Sequence, residues 1–372
     1  MEEFFSVTEI DKLKNYFLVG AAIDNPSGGE EKIAEWCAAE LKKLGVESEI
    51  DAAKNLFAKI PGEKKEPVFL AAHLDSVQPC CGKKIIFDGE KFFSDGHTIL
   101  GADDVAGIAA IFAAIAFLKK RKIPHRPLEI LLTAKEEVGG SGIKKFDFQK
   151  LTAKNGIVAD SMFSVGTIVQ RSPAKNNFSI AVRGRAAHSG QVSAGTSAIK
   201  ILADLISLLP NGKISENIFF NIGKISGGTA VNSVPAAAEI SGEISAFCDG
   251  EIRADEKNCE LTINLISEKI KKIEKKYPAG KIFFSHSMVR NSYFFSPENP
   301  AILAAKKAIS AAGLQPILRE SAGASDANTL NSAGKNAVLL GIGVECSHSV
   351  DEKIKFSELK KLAEILVHFC KI

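Results

Sequence analysis

His73 and Asp75, in AAHLDSV, put an imidazole and a carboxylate two residues apart at the end of an apolar run, PVFLAAH. Neutral imidazole is the commonest protein ligand for transition metals. A carboxylate two residues on can take the ring's other N–H and fix its tautomer. Alone, the pair is more often an ordinary surface or hydrogen-bonded one. Four further places extend it. GADDVAG offers Asp103 and Asp104, where one aspartate would serve as a helix N-cap and two are more than a cap needs. KEEVGGSG offers Glu136 and Glu137. Neighbouring carboxylates at the mouth of a buried strand repel each other and need cations. In extended chain they point opposite ways, so one can bind metal while the other faces a substrate as a base. GIVADS adds Asp160, and GIGVECSHSVDE adds His348. Singly these read as a cap or turn residue and a satisfied structural histidine. Together the residues supply two histidines and three or four carboxylates, enough for two divalent ions, with zinc the best suited. Two ions about 3.5–4 Å apart need a bridging carboxylate and share a water, which becomes a nucleophile near neutral pH. A free glutamate can relay its proton.

Each of these residues follows a segment that reads as a buried strand. PVFLAAH (67–73), LEILLTA (128–134), GIVAD (156–160) and NAVLLGIG (336–343) are short apolar runs. Between them, helical spacing predicts helices over 30–45, 104–122, 300–313 and 356–370. That rhythm predicts an α/β fold, a helix-covered, mostly parallel sheet with the site at the carboxyl ends of its strands. The middle of the chain follows another order: a strand at 176–184, a helix at 195–209, strands near 217–225 and 235–247, a charged helix near 255–276 and a strand near 281–286. Strand, helix, two strands, helix, strand is the order of a ferredoxin-like α/β sandwich. The expected organisation is a catalytic domain in two parts, 1–173 and 288–372, around an inserted lid or dimerisation domain at 174–287.

The bulk properties agree. A length of 372 residues makes two domains the default. The net charge of +3 is too mild to argue for nucleic acid or a membrane surface, and no apolar run reaches transmembrane length. The seven cysteines are an odd number, and the opening MEEFFSVTEI has no apolar core segment of a signal peptide, so a reducing cytoplasm is expected. Cys80 and Cys81 read as small loop residues, since no second cysteine cluster completes a thiolate site.

The series HxD, GADD, EE, AD and a late SH followed by an acidic residue resembles the zinc aminopeptidase and carboxypeptidase family. Peptidase T, carboxypeptidase G, aminoacylase and succinyl-diaminopimelate desuccinylase belong to it. ILGADDVAGIAA, VADSMFSVGTIVQRSP and GASDANTLNSAGKNAVLLGIG are spelled like its peptidase T-like members, and the resemblance covers nearly the whole chain. It implies a zinc-exopeptidase fold, two Zn2+ (with Co2+ or Mn2+ as substitutes) and a short peptide substrate. By the resemblance, His73 and Asp160 bind the first metal, and Glu137 and His348 the second. Asp103 bridges both, with a cis Asp103–Asp104 bond. Asp75 orients His73, and Glu136 is the general base. His188, in GRAAHSG, steadies the oxyanion, reaching in from a partner subunit where a homodimer forms through the inserted domain. Asn232, in GGTAVNSVP, contacts substrate, and Gly323, Ser325 and Asp326 line the substrate pocket.

Three positions depart from the family pattern. Ser245 stands where many relatives carry an arginine that grips a substrate carboxylate, and serine cannot make that bidentate charged pair. Arg183, Arg290 or the Gly323–Ser325 loop are the remaining candidates for that contact. Ala324 replaces one glycine of a triplet. His97 stands where relatives often have a small polar residue, either as a bystander or as a third imidazole near the metals. The expected activity is that of a tripeptide aminopeptidase. The alternatives are an amidase or deacylase on N-acyl amino acids and a metal- or peptide-binding protein without catalysis.

Overall fold

A computed structural model describes residues 4–63, 66–248 and 254–371, so the first three residues of the acidic opening segment lie outside it. The chain divides into two compact units. The first comprises Met1–Gln170, Phe295–Ser321 and Ser325–Ile372, and the second Arg171–Phe294 and Ala322–Ala324.

Four parallel strands form the centre of the first unit, in the spatial order Leu128–Thr133, Val68–His73, Asn155–Ser161, Asn336–Gly341. All are largely buried, as a sheet covered on both faces requires. Their register pairs His73 with Thr133, and Val68 with both Leu128 and Asn155, so their carboxyl ends finish side by side. Antiparallel strands flank them, Leu56–Ile60 beside Leu128–Thr133 and Thr167–Ser172 beside Asn336–Gly341. The fold is the mixed α/β type with a mostly parallel sheet that the strand–helix rhythm predicts.

The helix Ala102–Lys120 packs on Val68–His73 and Asn155–Ser161 and is buried on every side except near its end. Its alanine-rich sequence allows that close approach. At Gly107 the fit is tightest: a Cβ there would lie 2.4 Å from the Ala159 carbonyl oxygen and 2.5 Å from Asp104 Oδ1. Gly107→Ala is therefore expected to destabilise the first unit by about 1–3 kcal/mol through overpacking, read as a lower midpoint in chemical denaturation.

Two features of this unit go beyond the sequence reading. Val7–Ala22 is a helix whose start is closed by the Ser6 N–H donating to Glu9 Oε2 at 2.8 Å, and it buries Leu13, Tyr16 and Phe17. Val344–Glu345, Lys353–Lys355, Lys91–Ser94 and Ile85–Phe87 form a separate antiparallel sheet, and the turn joining its first two strands carries His348.

The second unit is an antiparallel sheet in the order Gly212–Ser215, Ile218–Gly227, Ala237–Ala246, Ala174–Arg183, Lys281–Arg290. Helices Ala198–Ile206 and Ala254–Lys276 pack on it. Phe178, Ile180, Ile201, Leu205, Phe220, Ile240 and Ile266 are among its core residues. With the short first strand set aside, this is the ferredoxin-like order. Among the described residues no helix is long and apolar enough to cross a membrane.

Candidate active site

The carboxyl ends of the parallel strands bring five sequence-predicted residues together in the first unit. His73 ends its strand buried, with Nε2 at 3.2 Å from Asp103 Oδ1 and 3.3 Å from Asp160 Oδ1. His348 faces them from its turn, with Nε2 at 2.9 Å from Glu137 Oε1 and 3.4 Å from Asp103 Oδ2. The two oxygens of Asp103 thus address different imidazoles. His348 holds a left-handed backbone at φ 62°, uncommon for a residue with a side chain, and its side chain is half exposed.

The supporting contacts correct one expectation. His73 Nδ1 is 2.9 Å from the backbone carbonyl of Asp75, while the Asp75 carboxylate stands 3.7 Å from the ring. The carbonyl thus takes the place expected of the carboxylate. The carboxylate is drawn instead to two backbone donors, the N–H groups of Glu136 at 2.8 Å and Glu137 at 3.2 Å, and to the Ser27 hydroxyl at 2.6 Å. Asp75 therefore fixes the glutamate pair as well as lying beside the ring. Glu136 is buried, just after Lys135, which has a positive φ of 57°.

Asp104 also has two defined partners. Its Oδ2 accepts the His73 N–H at 3.0 Å, and its Oδ1 accepts the Gly107 N–H at 3.2 Å, capping the helix. The Asp103–Asp104 peptide bond is cis. Two triads, His73–Asp104–Asp160 and His73–Asp103–Glu137, have ligand atoms within 4.8 Å of one another. Each oxygen of Asp104 already accepts a backbone N–H, whereas the oxygens of Asp103 face the two imidazoles.

This donor set fits a divalent metal. Among the described residues, the ion pairs of Asp103, Asp160 and Glu137 are with the two imidazoles alone. The titration behaviour shows the same demand for positive charge. Hydrogen bonds to Asp103 and Glu137 push His348 up to about 10. Burial alone would lower His73, yet the charge of Asp160 and the bond to Asp103 raise it well above the usual histidine range. Burial would raise Asp103, but bonds from His348 and His73 outweigh it and hold the carboxyl below its ordinary range. Burial raises Asp160 to about 6 against the pull of His73. A divalent cation placed among these groups would answer the same demand.

The remaining predicted residues lie elsewhere. His188 and Asn232 are neighbours in the second unit: the Ser189 N–H donates to the Asn232 carbonyl at 3.0 Å, and the exposed His188 accepts the Gly190 N–H on Nδ1 at 3.1 Å. Gly323, also in the second unit, accepts the Ser172 hydroxyl at 2.9 Å. Ser325, in the first unit, caps the Asp326–Ser332 helix through the Ala327 N–H. At Ser245, Lys175 Nζ donates to the serine hydroxyl at 2.8 Å and to Glu243 at 2.7 Å, so the position carries a lysine–serine–glutamate group. His97 is exposed and belongs to neither triad, and neither do Cys80 and Cys81. Glu352 escaped the sequence reading. It is fully buried and accepts the N–H groups of Gly101 and Asp103, and its only trace in the sequence is the acid after SH in SHSVDE.

Residues 69–372 match the description of peptidase family M20/M25/M40. The chain is similar to the uncharacterized protein YqjE of Bacillus subtilis, at 32% identity over 371 residues that span 96% of each chain. Among solved structures it resembles aminopeptidase PepT of Bacillus cereus, at 32% identity and a TM-score of 0.87 over 97% of this chain and 98% of that one. It also resembles a tripeptidase of Staphylococcus aureus, at 28% identity and a TM-score of 0.90 over the same shares.

Proposed function

The chain belongs to peptidase family M20/M25/M40, and from that premise we propose that it is a two-metal exopeptidase that removes residues from short peptides, with tripeptides as its preferred class. The observation that carries this reading is Asp103, whose two carboxylate oxygens face His73 and His348 separately, with Asp160 beside one imidazole and Glu137 beside the other. The aminopeptidase and tripeptidase among similar structures support the substrate class.

In this reading His73 and Asp160 hold one ion, Glu137 and His348 the other, and Asp103 lies between them. When bound there, two divalent ions, zinc by preference, supply a water of lowered pKa and polarise the scissile carbonyl. Glu136 takes the proton of the attacking water and delivers it to the leaving amine. Asp75 keeps Glu136 in place through its backbone N–H. The reading gives His188 the oxyanion, and gives Asn232, Gly323 and Ser325 contacts with substrate. It also places the enzyme in a reducing cytoplasm, in keeping with the odd number of cysteines, and gives the inserted unit the homodimer contact.

A second reading keeps the chemistry and changes the substrate to N-acyl amino acids. Ser245 and its lysine–serine–glutamate group favour it, because the family resemblance puts an arginine at this place in many relatives. A panel of free di- and tripeptides against N-acyl amino acids separates the two. Faster turnover of tripeptides is expected, and turnover of acylated amino acids alone would reverse the assignment.

A further inference from the structure

Glu352 follows His348 by four residues and is fully shielded from solvent. One carboxylate oxygen accepts the Gly101 N–H at 2.7 Å, and the other accepts the Asp103 N–H at 2.9 Å. The Glu352 N–H donates to the Ser349 carbonyl at 3.2 Å, closing the turn that carries His348. One short segment therefore reaches Asp103 twice, through the His348 ring on its side chain and through Glu352 on its backbone. Asp103 has a non-helical backbone at φ −85° and ψ 99°. Its carbonyl accepts the Ser76 hydroxyl at 3.2 Å, and that hydroxyl accepts Asn25 Nδ2 at 3.1 Å. Both backbone polar groups of the central carboxylate residue thus end on buried side chains from distant parts of the chain. A neutral acceptor would satisfy these N–H groups without the cost of burying a carboxylate. The two oxygens of this one side chain instead meet both N–H groups, tying the two ends of the Gly101–Asp103 turn to the segment that carries His348.

We propose that Glu352 is a positioning residue: by tying the Gly101–Asp103 turn to the His348 turn, it sets the distance between the Asp103 carboxylate and the His348 ring, and so the spacing of the two metal positions. The role rests on the two-metal reading. It concerns the half of the site made by Asp103, Glu137 and His348 more than the half made by His73 and Asp160.

The test titrates metal-free wild type, E352Q and E352A with Co2+ alone, following visible absorption and binding heat, with thermal melts and with kcat and KM on a tripeptide. Wild type is expected to bind two ions. E352A should keep one step near the wild-type affinity and lose about 10–100-fold in the other, as supporting residues around metal ligands do. Its kcat should fall with KM little changed. E352Q keeps one carbonyl acceptor and loses the charge, so it should fall between the two. Two unaltered Co2+ steps in E352A would overturn the role. Identical losses in E352Q and E352A would show that both acceptor oxygens are needed and would support the role. Failure of both variants to fold would make Glu352 a core residue and nothing more. Fewer than two ions on wild type would instead refute the two-metal reading, and this inference with it.

Discussion

Glu136→Gln should lower kcat by about 10²–10⁴-fold while metal content and KM stay near wild type. Loss of a positioned general base has that size. Glutamine keeps the shape of the side chain, and the backbone N–H held by Asp75 is untouched, so the turn should keep its course. What the variant loses is the capacity to accept a proton from water. The lysine before it has a positive φ and the carboxylate of Asp75 anchors its N–H, so the local backbone is specified independently of the carboxyl group. Steady-state kinetics with metal analysis on the same preparation checks the prediction. Activity within a few-fold of wild type would remove Glu136 from the mechanism.

Asp103→Asn should act on the other half of the machinery. The aspartate turns one oxygen to His73 and the other to His348. Asparagine offers a single oxygen, and its NH2 group must point at one of the two imidazoles. The variant should bind one ion and lose activity by more than the roughly 10–100-fold typical of residues that only support a ligand. Its effect should also exceed that of E352A, since Glu352 acts on Asp103 from behind. Metal analysis after dialysis, with kcat/KM on the preferred peptide, gives both quantities. Two tightly held ions in this variant would show that the carboxylate does not lie between them.

The residues that end buried strands were the legible part of the sequence. His73 and Asp160 follow or close apolar runs too short for helices, and the parallel register then aligns those ends. The ferredoxin-like order of the second unit was legible for a similar reason: its strands are long and its helices carry a clear apolar stripe. Short elements were not. The small sheet around Lys353–Lys355 is built of two- to four-residue strands, too brief for any periodicity, although it carries the His348 turn. The helix Val7–Ala22, closed at its start by Ser6 and Glu9, was not expected either. Long-range partners were the least legible. The spacing of His73 and Asp75 suggests a contact between ring and carboxylate, yet two N–H groups some sixty residues later hold that carboxylate. Glu352 accepts from donors about 250 residues earlier, which the acid after SH does not reveal.

The central claim is that this arrangement hydrolyses free short peptides only when both metal positions are filled. The direct measurement adds Zn2+ or Co2+ stepwise to metal-free protein and follows release of the N-terminal residue from a tripeptide. The account predicts activity that rises to a plateau at two equivalents and vanishes with a chelator. Protein holding two ions that cleaves no free peptide, or cleavage that a chelator leaves unchanged, would contradict it.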